Sequence, residues 1–259
     1  MASVLLSERR GSALVLTISD PATRNALSPR VYEVGAAALR EAAGDAALRT
    51  IVLRGDGAHF CAGGDLQRLA ASRDGPADQV RAGIDRFHAF VLALRDCPKP
   101  VIAAVEGHAA GGGCSLVLAC DLVIAAEGAR FTMSYGRAGL SPDGGGTHHL
   151  AQALPRALAL QMLWLPEPMS AQQWHALGLV NAVTADGKAL DEALRWSERL
   201  ARMASNAVAS AKALAHHARD RALPEQLAAE REQFVPNLQH ENAAEGLRAF
   251  FEKRAPRFR

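Results

Sequence analysis

Residues 100–126 read PVIAAVEGHAAGGGCSLVLACDLVIAA, and the architecture follows from that stretch. Residues 100–105 are a short, continuous apolar run of the kind that makes a buried strand, and Glu106-Gly107 interrupts it. The run Gly111-Gly112-Gly113 then leads into a helix of small residues over 114–120, and residues 121–126 (DLVIAA) return as a strand. Strand, glycine turn, helix and strand in quick succession are the unit of an α/β layer with a largely parallel sheet.

Upstream the same alternation holds. Ala13 to Ser19 (ALVLTIS) reads as a buried strand closed by Asp20-Pro21. Ser28-Pro29 supplies the N-cap and first-turn proline of a helix whose apolar positions are Val31, Val34, Ala38, Leu39 and Ala42, and Gly44-Asp45 stops it. Residues 50–54 (TIVLR) form the next strand, and a glycine-punctuated loop follows over 55–65. Val80, Ile84, Phe87, Val91 and Leu94 then mark one helix face, ended by Cys97-Pro98-Lys99-Pro100. From about Pro155 the pattern is helical, over 155–165, 170–177, 188–203, 206–219 and 224–250, with 179–184 as the strand-like exception. An α/β core of roughly 150 residues is thus expected to precede a helical C-terminal region.

Composition narrows the function classes. With 49% hydrophobic and 22% charged residues over 259 positions, the chain can bury a sizeable core without disulfides or a structural metal. Lys and Arg total 29 against 27 acidic residues, so the net charge of +2 offers no global attraction to nucleic acid or to acidic membranes. An anionic ligand must be held locally. The four cysteines form no CxxC pair, the first ten residues lack a signal-peptide core, and apolar stretches break well before the ~18 residues a membrane span needs. A reduced, cytoplasmic protein that binds neither membrane nor nucleic acid is expected.

Two glycine loops carry the chemistry. In Cys61-Ala62-Gly63-Gly64-Asp65-Leu66 the glycines allow close backbone approach to a ligand, although Asp65 as the N-cap of a following helix explains the segment equally well. Gly111-Gly112-Gly113 again brings a strand to a helix N-terminus, where unpaired N–H groups and the positive end of the dipole favour a negative oxygen. Together the loops offer one N–H each to a thioester or amide oxygen, an arrangement worth ~3–4 kcal/mol per donor in an oxyanion hole. No GxGxxG opens a helix and no GxxxxGK[ST] is present, so dinucleotide and P-loop readings lose their motif.

Four segments in order, FCAGGDL, PKPVIAAVEGHAAGGGCSLVLACDLVIAA, GLSPDGGGT and FFEKRAPRF, closely resemble the crotonase (enoyl-CoA hydratase/isomerase) superfamily over nearly the whole chain. The resemblance implies an α/β fold with a ββα spiral core over 1–200 and a helical trimerisation region over 201–259, assembled as a homotrimer or hexamer. It also implies an acyl-CoA thioester substrate, with coenzyme A as part of that substrate, no separate cofactor and no metal. Carried over, the oxyanion hole is Gly64 and Gly112. Arg24, Ala26, Ala62, Gly63, Asp65, Leu66, Ser115 and Tyr135 fall where substrate or CoA is bound, Arg24 being the expected partner of a phosphate.

The two positions at which family hydratases carry glutamates hold Ser115 and Tyr135 here. Neither hydroxyl is a useful general base near neutral pH. Asp143, in the segment LSPDGGGT, matches instead the aspartate of isomerases resembling 1,2-epoxyphenylacetyl-CoA isomerase. Its residue type before glycines also suits a helix cap, and the residues alone leave both roles open. A dehalogenase branch uses a nearby aspartate as nucleophile, but its accompanying tryptophan is not evident. One carboxylate suits isomerisation better than hydration.

Competing roles are weaker. Ser115 as a nucleophile needs a base such as His108, His148 or His149, and no GxSxG elbow surrounds it. His148-His149 lacks the HExxH metal pattern and is expected to cap or face solvent; Cys114 and Cys120 are expected to pack, and Tyr135 to fill the pocket rather than hydrogen-bond. A hydratase in the broad sense and a weakly active CoA-thioester-binding protein are the rival functions.

Overall fold

A computed structural model describes residues 2–258. The chain opens with β1 (Val4–Arg10) and β2 (Ala13–Ser19), an antiparallel hairpin, followed by α1 (Pro29–Gly44) and β3 (Thr50–Gly55). Next come α2 (Leu66–Ser72), α3 (Ala77–Asp96), β4 (Val101–Val105), β5 (His108–Ala110) and α4 (Gly112–Ala119). Then follow β6 (Leu122–Ala126), β7 (Arg130–Thr132), α5 (Gly146–Ala153), α6 (Arg156–Trp164), β8 (Met169–Ser170) and α7 (Ala171–Ala176). The last elements are β9 (Ala182–Thr184), α8 (Ala189–Ala201), α9 (Ser205–His217), α10 (Leu223–Gln239) and α11 (Glu241–Phe251).

The large sheet has the order β1-β2-β3-β4-β6-β9, parallel from β2 onward. Its parallel strands read as near-continuous apolar runs because both faces are covered. Alternate residues divide cleanly between two clusters, as the period of a strand requires. Leu16, Ile51, Leu53, Ala103 and Val105 face the main core with α1 and α3, whereas Val15, Val52, Ile102, Ala104 and Ile124 meet Ala189, Ala193 and Trp196 of α8. A small second sheet, β5-β7-β8, takes a short strand from successive turns of the chain. Each turn therefore adds a strand to the large sheet, steps to the second layer, and closes with a helix.

Local expectations hold at many ends and fail at some. Ser28 caps α1 by accepting from the N–H of Val31, with Pro29 in the first turn. Helix α4 begins at Gly112 rather than at residue 114, which puts Gly112 in its first turn. The helix expected over 224–250 is two helices, broken at His240, whose imidazole accepts from the N–H of Asn242 to cap α11. Val34 and Ile84, expected on apolar faces, are exposed, and the core face of α3 is Phe87, Phe90, Val91 and Leu94. Helices α9 to α11 pack on one another and leave Phe234, Leu238, Leu247, Phe250 and Phe251 exposed. Among the described residues, no helix is long and apolar enough to cross a membrane and no cluster of His, Cys, Asp or Glu suits a metal ion.

Candidate active site

The first loop is held by a buried asparagine that sequence reasoning passed over. Asn25 takes a left-handed conformation (φ 59°) and is fully buried. Its Nδ2 donates to the carbonyls of Asp56 (2.9 Å) and His59 (2.7 Å), and its Oδ1 accepts from the N–H of Asp20 (2.9 Å). The β2–α1 connection is thereby stapled to the loop after β3. Two backbone bonds complete the join, Ala62 N–H to Arg24 O at 2.9 Å and Leu27 N–H to Gly63 O at 2.7 Å. Arg24, Ala26, Ala62, Gly63 and Gly64 are thus brought together. The side chain of Asp65 is committed to capping α2, accepting from the N–H of Gln67 and Arg68, and Leu66 stands exposed at the rim.

The second loop is laced to the first. Cys61 N–H donates to His108 O at 3.0 Å, and Ala110 N–H donates to Cys61 O at 2.9 Å. Gly63 (φ 90°) has no room for a side chain, since a Cβ there would lie 2.6 Å from Ala110 O and 3.0 Å from Gly112 N. That contact also measures how closely the loops abut. Among the described residues, neither the Gly64 N–H nor the Gly112 N–H has a protein acceptor, and Gly112 stands at the dipole-positive start of α4. Two free donors at the junction of two rigid loops suit an oxygen that gains negative charge.

Asp143 lies on the turn leading to α5, yet it does not cap that helix; Gly145 is the N-cap, without a side-chain bond. Its Oδ1 accepts from Tyr135 Oη at 2.6 Å, and its backbone carbonyl accepts from Ser115 Oγ at 3.0 Å. Ser115 Oγ and Tyr135 Oη lie 3.0 Å apart. Tyr135, expected to fill space, therefore makes a charge-assisted hydrogen bond. Burial, then the charge and hydrogen bond of Asp143, push its phenol well above the usual tyrosine range, so it stays a neutral donor. Asp143 Oδ2 has no protein hydrogen bond among the described residues.

One aromatic ring spans the two halves of the site. Phe87 lies 3.4 Å from where a Gly112 side chain would start, and 2.4 Å from the same point at Gly144. Leu27 Cδ1 joins this wall beside Gly112, and Tyr32 packs on Phe87 with ring centroids 5.1 Å apart. Burial raises the Tyr32 phenol to about 12 against the pull of Arg68. The arrangement is a backbone anion site, an apolar wall and one carboxylate on the same side of α4.

The comparisons agree with that geometry. Residues 8–259 match the family model described as enoyl-CoA hydratase/isomerase. The chain belongs to this family. It is 35% identical to the 2,3-dehydroadipyl-CoA hydratase of Escherichia coli over 99% of both chains. It is 34% identical to the 1,2-epoxyphenylacetyl-CoA isomerase of the same organism, over 100% of this chain and 99% of that one. The crystal structure of an enoyl-CoA hydratase from Polaromonas sp. JS666 superposes with a TM-score of 0.96 at 50% identity, covering 99% of this chain and 100% of that one. The protein is thus an enzyme of the enoyl-CoA hydratase/isomerase family with its crotonase-type fold.

Other side chains fall away from the chemistry. Ser115 is bonded to Tyr135 and Asp143 and to no histidine, which removes the nucleophile arrangement. His148 is exposed, while His149 is half-buried and held at about 4 by burial and then by His148, Arg95 and His216. Arg24 is exposed near His59, whose imidazole is lowered by partial burial and then by His108 and Arg24. Asn25, Tyr32 and Phe87 were missed as site residues. An asparagine beside a turn is a usable signal, because Asn tolerates left-handed backbone; Tyr32 and Phe87 read only as core positions.

Proposed function

We propose that this family member isomerises the double bond of an enoyl-CoA, with Asp143 as the single acid/base. The observation that carries this reading is the replacement at the two positions where the family resemblance places hydratase glutamates: Ser115 and Tyr135 stand there, and both hydroxyls are bonded to Asp143. In a 3-enoyl-CoA, the thioester oxygen accepts from the N–H groups of Gly64 and Gly112. The C2–H bond breaks toward Asp143, and its electron pair forms a dienolate whose charge lies on that oxygen. The protonated Asp143 then returns the proton to C4, leaving the C2=C3 double bond. Kinship with the 1,2-epoxyphenylacetyl-CoA isomerase supports the isomerase class.

The CoA moiety is assigned to the ridge of Arg24, Ala26, Ala62, Gly63, Asp65 and Leu66. It enters as part of the substrate, with no further cofactor. The exposed apolar side chains of α10 and α11 support self-association, as a homotrimer or hexamer with the core over 1–200 and the assembling helices over 201–259. A cytoplasmic location accords with four free cysteines. The names of the 2,3-dehydroadipyl-CoA hydratase and the Polaromonas hydratase favour hydration as the second reading. Proton NMR of 3-enoyl- and 2-enoyl-CoA incubated in D2O tests the choice. Double-bond migration lost in Asp143→Asn is expected. A 3-hydroxyacyl-CoA product that survives the substitution overturns the proposal, and binding without any turnover means a CoA-thioester-binding protein.

A further inference from the structure

We infer that Tyr135 is the positioning residue of this site, its hydroxyl fixing one oxygen of Asp143 so that the other faces the substrate as the base. The inference rests on the reading of Asp143 as the acid/base. Asp143 sits on a turn followed by two glycines in left-handed conformation, Gly144 (φ 63°) and Gly145 (φ 78°), a backbone that gives its carboxylate no support of its own. Support comes from two hydroxyls: both approach the Asp143 carbonyl, Ser115 Oγ at 3.0 Å and Tyr135 Oη at 3.2 Å, but only Tyr135 reaches the carboxylate. Ser115, fully buried on the rigid α4, donates to the carbonyl of Asp143 and fixes the turn. Tyr135 donates to Oδ1 at 2.6 Å, within the range of a charge-assisted O–H···O⁻ bond, and fixes the rotation of the carboxylate.

The division of oxygens has a chemical consequence. With Oδ1 engaged, Oδ2 takes the proton from C2 and holds it for return to C4. A space-filling ring would do as well without its hydroxyl, so Tyr135→Phe separates the two roles while leaving the ring in place. The charged or titratable neighbours of the turn are few: Tyr32 on α1 lies within electrostatic reach of Asp143, His88 on α3 lies 3.5 Å from the Gly144 N–H, and the His149 imidazole on α5 lies 3.4 Å from where a Gly145 side chain would start. None of the three is bonded to the carboxylate among the described residues, so none takes over when the phenol is removed.

The test compares wild type, Tyr135→Phe and Asp143→Asn with a 3-enoyl-CoA deuterated at C2, thermal melts confirming that each is folded. For Tyr135→Phe a 10- to 100-fold fall in kcat with KM within twofold of wild type is expected, the size of loss that a misoriented catalytic group causes. The share of deuterium delivered to C4 should fall as well, because a freely rotating carboxyl exchanges with water before returning its proton. Wild-type kcat and label return in Tyr135→Phe beside an inactive Asp143→Asn overturn this inference alone, as does a raised KM at unchanged kcat. Turnover surviving in Asp143→Asn overturns the base assignment and this inference with it.

Discussion

Replacing Asn25 with alanine should unsettle both the fold and the anion site. Three well-formed hydrogen bonds are lost, from Nδ2 to Asp56 O and His59 O and from the Asp20 N–H to Oδ1, all at 2.7–2.9 Å around a fully buried side chain. At ~1 kcal/mol net for each bond, plus ~1 kcal/mol for holding alanine at a left-handed φ, the expected cost is about 4 kcal/mol. For a chain of this size that corresponds to a fall of roughly 10 °C in Tm. The bonds Ala62 N–H to Arg24 O and Leu27 N–H to Gly63 O hang on the same staple, so kcat should fall as Gly64 loses its fixed position. Asn25→Gly separates the contributions, because glycine relieves the backbone strain but restores no hydrogen bond; it should recover about 1 kcal/mol. Urea titrations and thermal melts of the three proteins measure these differences. A loss under ~1 kcal/mol for Asn25→Ala, with kcat unchanged, would refute the claim that this residue joins the two segments.

Three further outcomes are expected. Gly112→Pro removes the proposed oxyanion N–H at a helix start where proline is tolerated, its Cβ meeting Leu27 Cδ1 at 3.2 Å and Phe87 at 3.4 Å, so a thermal melt is run first to show the variant folded; kcat should fall about 10²- to 10³-fold, and a change under fivefold would remove Gly112 from the anion site. His149, lowered to about 4 in the fold, stays neutral there while the unfolded chain takes up a proton below its ordinary pKa. Stability should therefore decline as pH falls from about 6.5 to about 4, by up to about 3 kcal/mol, and His149→Gln should flatten that slope in pH-dependent urea titrations. Lys212 ties α9 to the core, donating to Leu94 O and Lys99 O at 3.2 Å and to Asp121 Oδ2 at 2.7 Å; Lys212→Ala removes these bonds, although Asp121 keeps the N–H of Val101 at 2.7 Å and His216 at 3.3 Å, and should cost about 2–3 kcal/mol in the same assay.

The parallel strands were legible in the sequence because they are buried on both faces, so their apolar runs are continuous and need no register to be seen. β1 was not, because an edge strand carrying exposed Glu8, Arg9 and Arg10 has no such run. The second sheet escaped for a different reason: β5, β7 and β8 are two or three residues long and owe their pairing to tertiary contact. The break at His240 depends on an imidazole used as a cap, which no propensity marks. In the site, spacing located the residues but not their directions. Asp143 could be placed near a helix start, yet only the fold shows Gly145 as the cap and the carboxylate turned to Tyr135. Tyr135 has an apolar ring and one polar atom, and its burial says nothing of where that atom points.

The most direct measurement is mass spectrometry of the product formed by the wild-type enzyme from a 3-enoyl-CoA in water enriched in oxygen-18. One carboxylate with no partner to activate water should give the 2-enoyl-CoA isomer at unchanged mass, without the label. A 3-enoyl-CoA left unchanged, with oxygen-18 fixed in a 3-hydroxyacyl-CoA when a 2-enoyl-CoA is supplied instead, would contradict the account.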